Sequence, residues 1–561
     1  MREIAALLRL EGGGNEYRAR AYERGADVIE PLGGLRQLVA RGELTLLPGI
    51  GPALARVIDD LVDRGRSPML ERLRESYPPG SVELSRVLSL PKVRAVHDAL
   101  GITTLAALRT ACRAGLVRGI KGFGAKSEQA LLERIDHAYS SADRRKAELL
   151  PAASAQAEAL VQHFRRHANT LDVAVAGALR RRVEAIDRLD LVVASSDREA
   201  TLAHAERMPG TSESSDGGDG RIVLRIPGRL DAHVRVVEPR ELAVALVHGT
   251  GTSAHVEKLA AIARARGLAL DDHSLRKGSR ALAVRTEDEL YTRLGLPLIE
   301  PELREDAGEI EAAERGRLPT DLLTVGDIRG AVHCHTTYSD GNASIEDMAR
   351  AAESLGLAYI TITDHSASAT YAHGLDVERL RQQKREIDRV QKSVSVRILH
   401  GTESDILRDG SLDFPEDVLR DLDVIVASIH TRHKMDIDQM TERVVRALKQ
   451  PLFKVWGHAL GRYVLSRPPF ECHMDRVLDA AAESRVAIEV NGDPHRLDMA
   501  PEWIREARTR GLRFVVSTDA HATGQLRNVR WGVDMARRGW LTRNEVLNTL
   551  DADEFARAVK P

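Results

Sequence analysis

The run VHCHTTYSDG (332–341) carries His333 and His335 two residues apart. On a strand this spacing puts both imidazoles on one face, with Cys334 turned away. Asp340 follows in the loop. Five further segments end the same way: TDH gives His365, GTE gives Glu403, SIH gives His430, GH gives His458, and STDAH gives Asp519 and His521. Each of these groups falls at or just past the C-terminal end of an apolar run, where barrel enzymes build their sites. Nine nitrogen and oxygen donors are too many for one ion and suit two or three. Imidazole mixed with carboxylate fits manganese, zinc or iron, and such multi-metal sites favour phosphoester hydrolysis. His333 and His335 are the leading catalytic candidates. Arg496, in NGDPHRLD (491–498), is a candidate contact for substrate phosphate. His433 and His495 are weaker candidates for the same mouth.

The elements that would position these groups are seven short apolar strands, expected at 332–335, 359–363, 396–400, 424–428, 453–457, 486–490 and 514–517. Helical stretches separate most of them, which predicts a distorted β/α barrel from Gly330 onward. Residues 150–318 mix strands and helices. Within them EAIDRLDLVV (184–193) reads as a strand entering a core. Enzymes that join nucleotides hold magnesium with two carboxylates on one strand face, at i and i+2. Here Asp187 and Asp190 are three apart, and the residue two before Asp190 is Arg188. The polar run ELREDAGEIEAAERGRLPTDLL (302–323) reads as a linker.

Residues 1–145 read as short helices broken by glycine turns. LPGIGPALARVIDDL (47–61) and IKGFGAKSEQALLERI (120–135) each place an apolar residue between two glycines ahead of an amphipathic helix. This is the helix-hairpin-helix pattern, in which a tight turn aims helix N-terminal N–H groups at a DNA phosphate. Gly49, Gly51, Gly122, Gly124 and Lys126 are the candidate DNA contacts. VLSLPKVRAVHD (87–98) lacks the glycines and is expected only to pack. The formal net charge of -2 gives no overall basic field, so phosphate contacts must be local. The three cysteines, Cys112, Cys334 and Cys472, lack zinc-knuckle spacing and read as reduced thiols of a cytoplasmic protein, with no membrane segment expected.

The motifs HCHTTYSDG, ITDHS, GTESDIL, SIHTRH, WGHALGR, NGDPHRLD and STDAH resemble the PHP domain, specifically that of bacterial family X DNA polymerases. The rest of the chain is similar to the same family: NEYRARAYERGADVI to its DNA-end-binding domain, GALRRRVEAIDRLDLVVAS to its palm motif, GTGTSAH to its nucleotide-side loop, and LGLPLIEPELREDAGEIEAA to its thumb. The resemblance implies a gap-filling polymerase joined to a manganese-dependent 3′→5′ exonuclease of DNA repair. It carries the ligand role to His333, His335, Asp340, His365, Glu403, His430, His458, Asp519 and His521. Two departures stand out. The family opens its first PHP motif with Asp-Leu-His, where this chain has Ala331-Val332-His333. Taking Ala331 to share the face of His333, a carboxylate supporting that histidine is expected to be missing. In the palm, the family's Gly-Ser becomes Gly177-Ala178 while Arg180 and Arg181 remain. Of the Asp-x-Asp pair the first is Arg188 and only Asp190 is kept, and the third carboxylate is His233. Asp231 shares the face of His233 but lies roughly 6–7 Å along the strand.

The expected architecture is multidomain α and α/β: helical helix-hairpin-helix domains at 1–66 and 67–148, a nucleotidyltransferase-like α+β palm and thumb at 149–318, and a distorted (β/α)7 PHP barrel at 326–561. The expected function is a metal-dependent 3′→5′ exonuclease on gapped or 3′-ended primer-template DNA, acting as a monomer with a polymerase core inactive in synthesis. Two alternatives stand beside it: a gap-filling polymerase with an unusual metal site, and a non-catalytic DNA-end scaffold.

Overall fold

The structure is a computed structural model that describes residues 1–11, 15–29, 35–42, 44–47, 50–85, 87–125, 127–132, 134–135, 147–431 and 433–561. It divides into two units, Met1–Arg145 and Lys146–Pro561. The first is helical. Proline at the first turn and a left-handed glycine after the last bracket the helix Pro52–Arg64, as the missing proline N–H and the permissive glycine φ favour. Ile4, Leu7, Leu8, Val57, Leu70 and Leu73 form one core there. A second core gathers Leu84, Val93, Val96, Leu108, Val117 and Leu131, so the 87–98 segment does pack as a helix, Leu90–Leu100.

The second unit opens with helix Leu150–Arg165 against a five-stranded sheet. Its strands are β1 (Thr170–Ala176), β2 (Arg188–Ser195), β3 (Glu213–Gly218), β4 (Arg221–Arg225) and β5 (Asp231–Val237), in spatial order β1-β2-β5-β4-β3. β2 and β5 are parallel; the other pairs are antiparallel. The helices Leu242–Thr250, Ser253–Ala265 and Glu287–Arg293 pack around Val247, Leu259, Leu290 and Tyr291. The run expected to be a linker belongs to that core. Leu303, Ile310, Ala313, Leu318 and Leu322 are all buried in it. The buried Glu309 accepts from the N–H groups of Asp306 and Ala307 and meets His255 Nδ1 at 2.6 Å. Charged residues paired this way can sit inside a core, which a count of polar residues does not reveal.

Seven parallel strands follow, β6 (Gly330–Cys334), β7 (Tyr359–Ile362), β8 (Arg397–Asp405), β9 (Val424–Ser428), β10 (Lys454–Trp456), β11 (Val486–Asn491) and β12 (Arg513–Ser517). They pair in sequence order. The ring closes where Thr518 N–H donates to Val332 O (3.1 Å), Ala520 N–H to His333 O (3.1 Å) and His335 N–H to Ala520 O (2.8 Å). Val332, Tyr359, Leu399, Val424, Val426, Val455, Ala487 and Val515 fill the barrel interior at the strand starts, plugged by Phe555 and Val559 of the helix Ala552–Val559. The open end is therefore the C-terminal one. No described helix is long and apolar enough to cross a membrane.

Palm and barrel meet across charged groups. Glu184 accepts from Arg462 (3.1 Å) and from Arg538, and Arg538 also holds Glu305 (2.9 Å). Glu184 and both arginines are largely buried. Removing one partner of such a set leaves the others uncompensated, at a cost of about 3 kcal/mol. Glu184→Gln should lower the urea midpoint of the full chain accordingly. All four tryptophans, Trp456, Trp503, Trp531 and Trp540, lie in the barrel part, so their fluorescence reads the transition. Asp553→Asn, at the exposed pair with Arg397, should shift stability by under about 0.5 kcal/mol.

Candidate metal centre and palm cleft

Glu403, at the end of β8, is the hub of the barrel mouth. Its Oε1 lies 2.8 Å from His458 Nε2, 3.2 Å from His430 Nε2 and 3.3 Å from His333 Nε2. Its Oε2 lies 2.9 Å from His365 Nδ1 and 3.6 Å from His335 Nε2. Around it, three overlapping groups each hold their donor atoms within 4.8 Å: His335, Asp340, His365 and His521; His333, His335 and Asp519; and His365, Glu403 and His430. The structure thus brings together eight of the nine expected ligands in these groups, and the ninth, His458, joins them through Glu403. Asp340 and His521 stand at the open edge, 33% and 29% exposed, 3.3 Å apart.

The donors are displayed by a distorted backbone. His333, His458 and Asp519 all have positive φ, at 63°, 23° and 48°. Such conformations cost of order 1–3 kcal/mol each and persist where surrounding structure fixes them, chiefly at functional sites. At His333 the distortion is a register shift between Ala331 and Cys334, which breaks the alternation assumed from sequence. Ala331 packs with Cys334, Met348 and Ile360 on the outer apolar side, and Val332 faces the interior. So Ala331 does not share the face of His333. The carboxylate that does support His333 is Glu489 of β11, whose Oε1 lies 2.5 Å from Nδ1. Asp405 does the same for His430 Nδ1. Neither role is among the expectations from sequence, though each residue leaves a trace: Asp405 is two after Glu403 on β8, and Glu489 is a lone acid inside the apolar run VAIEV.

Burial alone would raise the Glu403 carboxyl, but His430, His333 and His365 hold it well below the usual range. Burial, with His521 and His365 close by, pushes His335 down to about 3. His430 goes the other way, to about 9: burial opposes its charge, but Glu403 and Asp405 outweigh it. Several buried ring nitrogens make no well-aligned hydrogen bond, three of them despite the nearby Glu403 oxygens: His333 Nε2, both nitrogens of His335, His365 Nδ1, His430 Nε2 and His458 Nδ1. Unpaired buried polar atoms are costly and call for a ligand. A mixed imidazole and carboxylate set with free lone pairs fits divalent cations.

A cavity of about 300 Å³ opens over this cluster, lined also by Tyr371, His433, Tyr463, Arg467, Asp493 and Arg496. Arg496 pairs with Asp519 (Nε–Oδ2 3.0 Å) and lies over the Tyr463 ring, as does Arg467. His433 lines the cavity, and burial pushes it down to about 4. His495 is 66% exposed beside Asp493.

The palm has its own cleft, of about 920 Å³, lined by Gly177, Arg181, Asp187, Arg188, Asp190, Arg221, His233, Arg235 and His248 among others. On the parallel strands β2 and β5, Arg188 is level with Asp231 and Asp190 with His233. Arg188 Nε lies 3.1 Å from Asp190. Burial raises the Asp190 carboxyl against the pull of Arg188. Gly177, at φ 61°, is where a Cβ would overlap the Asp190 carboxylate, so the glycine is required there. Arg180 pairs with Glu287, and Arg181 donates to Thr250 O (2.7 Å) and faces Glu305. In the helical unit, Gly51 caps helix Pro52–Arg64, Gly122 has φ 93°, and Gly124 N–H donates to Ser127 Oγ (2.7 Å). All three glycines face open space. Gly49 and Lys126 lie outside the described residues.

The chain matches the helix-hairpin-helix domain model over residues 1–67, the DNA polymerase beta thumb over 245–305, and the PHP domain over 331–493. It is 32% identical to the DNA polymerase/3'-5' exonuclease PolX of Bacillus subtilis (strain 168), over 97% of this chain and 95% of that protein. A probable phosphatase of Thermoanaerobacter sp. (strain X514) is 28% identical over 39% of this chain and 89% of its own length. One of Acetivibrio thermocellus is 31% identical over 34% and 78%. With the helix-hairpin-helix, thumb and PHP matches in one chain, and a relative that is similar from end to end, the chain belongs to the bacterial family X DNA polymerases that carry a C-terminal PHP domain.

Proposed function

We propose that this protein is a metal-dependent 3′→5′ exonuclease of DNA repair, in which the PHP barrel cleaves and the polymerase core holds DNA without extending it. The observation that carries the reading is the convergence on Glu403 of five buried imidazoles, several of whose nitrogens make no well-aligned hydrogen bond within the protein. His333, His335, Asp340, His365, Glu403, His430, His458, Asp519 and His521 would hold two or three divalent cations, with manganese the first choice and zinc or iron also suited. Such ions, when bound, supply activated water and charge stabilisation at a phosphodiester. The chain's own groups do the rest. Glu489 and Asp405 fix His333 and His430 through Nδ1 and keep the opposite nitrogen free to donate its lone pair. Arg496 and Arg467, at the cavity wall, meet the anionic oxygens of the phosphate.

The silent core follows from charge. Two-metal nucleotidyl transfer needs a cluster of anionic oxygens. Here one position of that cluster is Arg188, already paired with Asp190, and another is His233. Asp231 stands beside Arg188 and Arg225. The turns at Gly51, Gly122 and Gly124 would seat phosphates of the duplex, Gly49 and Lys126 belonging to the same two motifs. The four domains would run 1–66, 67–148, 149–318 and 326–561, in a monomer working on gapped or 3′-ended primer-template.

On a 5′-labelled primer at a gap, with manganese, the wild type should shorten the primer and not lengthen it when all four nucleotides are added. His333→Ala/His335→Ala should abolish shortening and retain DNA binding in a gel-shift assay. Lengthening by the wild type would establish a working polymerase instead, and cleavage by the double variant would overturn the assigned site.

Glu489→Gln removes the charged acceptor behind His333 and should weaken manganese affinity by about 10–100-fold. Titration followed by the paramagnetic resonance of free Mn2+ reads this directly. An unchanged affinity would remove Glu489 from the account.

A further inference from the structure

Among the described residues only seven large apolar side chains are well exposed, and two of them belong to the barrel mouth. Tyr371 is 62% exposed, in the turn Thr370–Ala372 that follows the strand-end residue His365. Its ring lines the cavity over the metal-ligand cluster, with centroids 6.1 Å from His365 and 6.2 Å from His430 and interplanar angles of 63° to both. Neither histidine stacks flat on the ring, and most of the side chain stays exposed. Leu465, 55% exposed, stands in the turn between Tyr463 and Arg467, and those two residues also line the cavity. Tyr463 differs from Tyr371 in that Arg467 and Arg496 lie over its ring, at 4.4 and 4.6 Å. Tyr371 is thus the cavity's aromatic side chain with an open face.

A single exposed ring on an open surface needs no explanation, but one that lines the cavity over a candidate phosphoester site offers a flat apolar face to whatever the phosphate carries. Single-stranded nucleic-acid sites use such rings as stacking platforms, tolerant of base identity because every base has a π-face. We infer that Tyr371 stacks the base of the 3′-terminal nucleotide, with Leu465 extending the apolar rim, so that the site selects a phosphodiester that bears a base beyond it. This rests on the phosphodiesterase reading and deepens it: the cations and Arg496 define the scissile phosphate, and Tyr371 defines what is attached to it.

The test pairs a substrate change with a protein change. Two primers are compared, one with a normal 3′-terminal nucleotide and one whose terminal sugar lacks its base, on wild type, Tyr371→Phe and Tyr371→Ala. Stacking is worth about 5- to 150-fold per base. The wild type and Tyr371→Phe should therefore prefer the normal end by about that factor in kcat/KM, and Tyr371→Ala should cleave both ends at the slower rate. A preference that survives in Tyr371→Ala, or its absence from the wild type, would overturn the inference and leave the exonuclease reading standing. A second readout needs no turnover. With EDTA present, a primer ending in 2-aminopurine should lose fluorescence on binding wild type and Tyr371→Phe, and keep it on binding Tyr371→Ala. If no primer is ever shortened, the exonuclease reading fails and this quenching decides the stacking alone; equal quenching by Tyr371→Ala would sink it.

Discussion

A carboxylate with no access to water, surrounded by imidazoles, is the constraint on which the barrel depends. Glu403 lies within 3.6 Å of five histidines from β6, β7, β9 and β10 or the turns after them. A buried ion is tolerable only when it is paired and hydrogen-bonded. Those partners come from different strands, so every strand must end at the same height for the set to close. The apolar plug at the strand starts fixes that height from below. The left-handed residues His333, His458 and Asp519 bend the backbone inward where the side chains must converge. Backbone strain, apolar packing and the charge cluster are parts of one arrangement: the packing holds the strain, and the strain places the charges.

This explains which parts of the site could be read from the sequence. The residues that gather at the mouth were legible because most of them sit at or just after a strand end, a property of order along the chain. The seven strands were legible because a parallel sheet covered on both faces reads as short apolar runs. Orientation was not legible at His333. Strict alternation would put Ala331 on its face, but the register shift sends Ala331 outward to Met348 and Ile360. The support for His333 then comes from Glu489, more than 150 positions later. A contact of that span is set by barrel closure, and no local pattern encodes it. The 302–323 segment fails for the opposite reason. Its charges are locally obvious, but their partners, His255 for Glu309 and Lys258 for Glu311, are remote.

The palm contrasts with the barrel in how its charges are compensated. In the barrel, five imidazoles crowd one carboxylate, and several of their buried nitrogens make no well-aligned hydrogen bond within the protein. In the palm, the charges find partners within the protein: Arg188 with Asp190, Arg180 with Glu287, and Arg181 with Glu305. Self-paired charges stabilise the closed arrangement and lower the gain from binding an ion, because that pairing must be broken first. The two sites, each built of charged groups on neighbouring strands, differ in how far those groups pair within the protein.

The palm nonetheless bears on the barrel through Glu184, four residues ahead of Arg188. Glu184 fixes Arg462, and Arg462 Nε donates to the carbonyl of Arg496 (3.0 Å). Arg462 also bonds to the carbonyl of Leu497. Arg496 in turn pairs with Asp519 inside the ligand cluster. Arg496, which lines the cavity over the cluster, is therefore anchored by a backbone clamp whose far end is a palm carboxylate. The palm thus has mechanical work in this molecule apart from any nucleotide transfer: Glu184, beside the two-residue strand Ala185–Ile186 that pairs with Glu148–Leu149, holds Arg462. Rigid second contacts of this kind are what keep a catalytic constellation within a few tenths of an ångström of its working geometry. Retaining the palm fold while its carboxylate positions carry Arg188 and His233 is consistent with that structural demand, since the clamp uses Glu184 and neither of the altered positions.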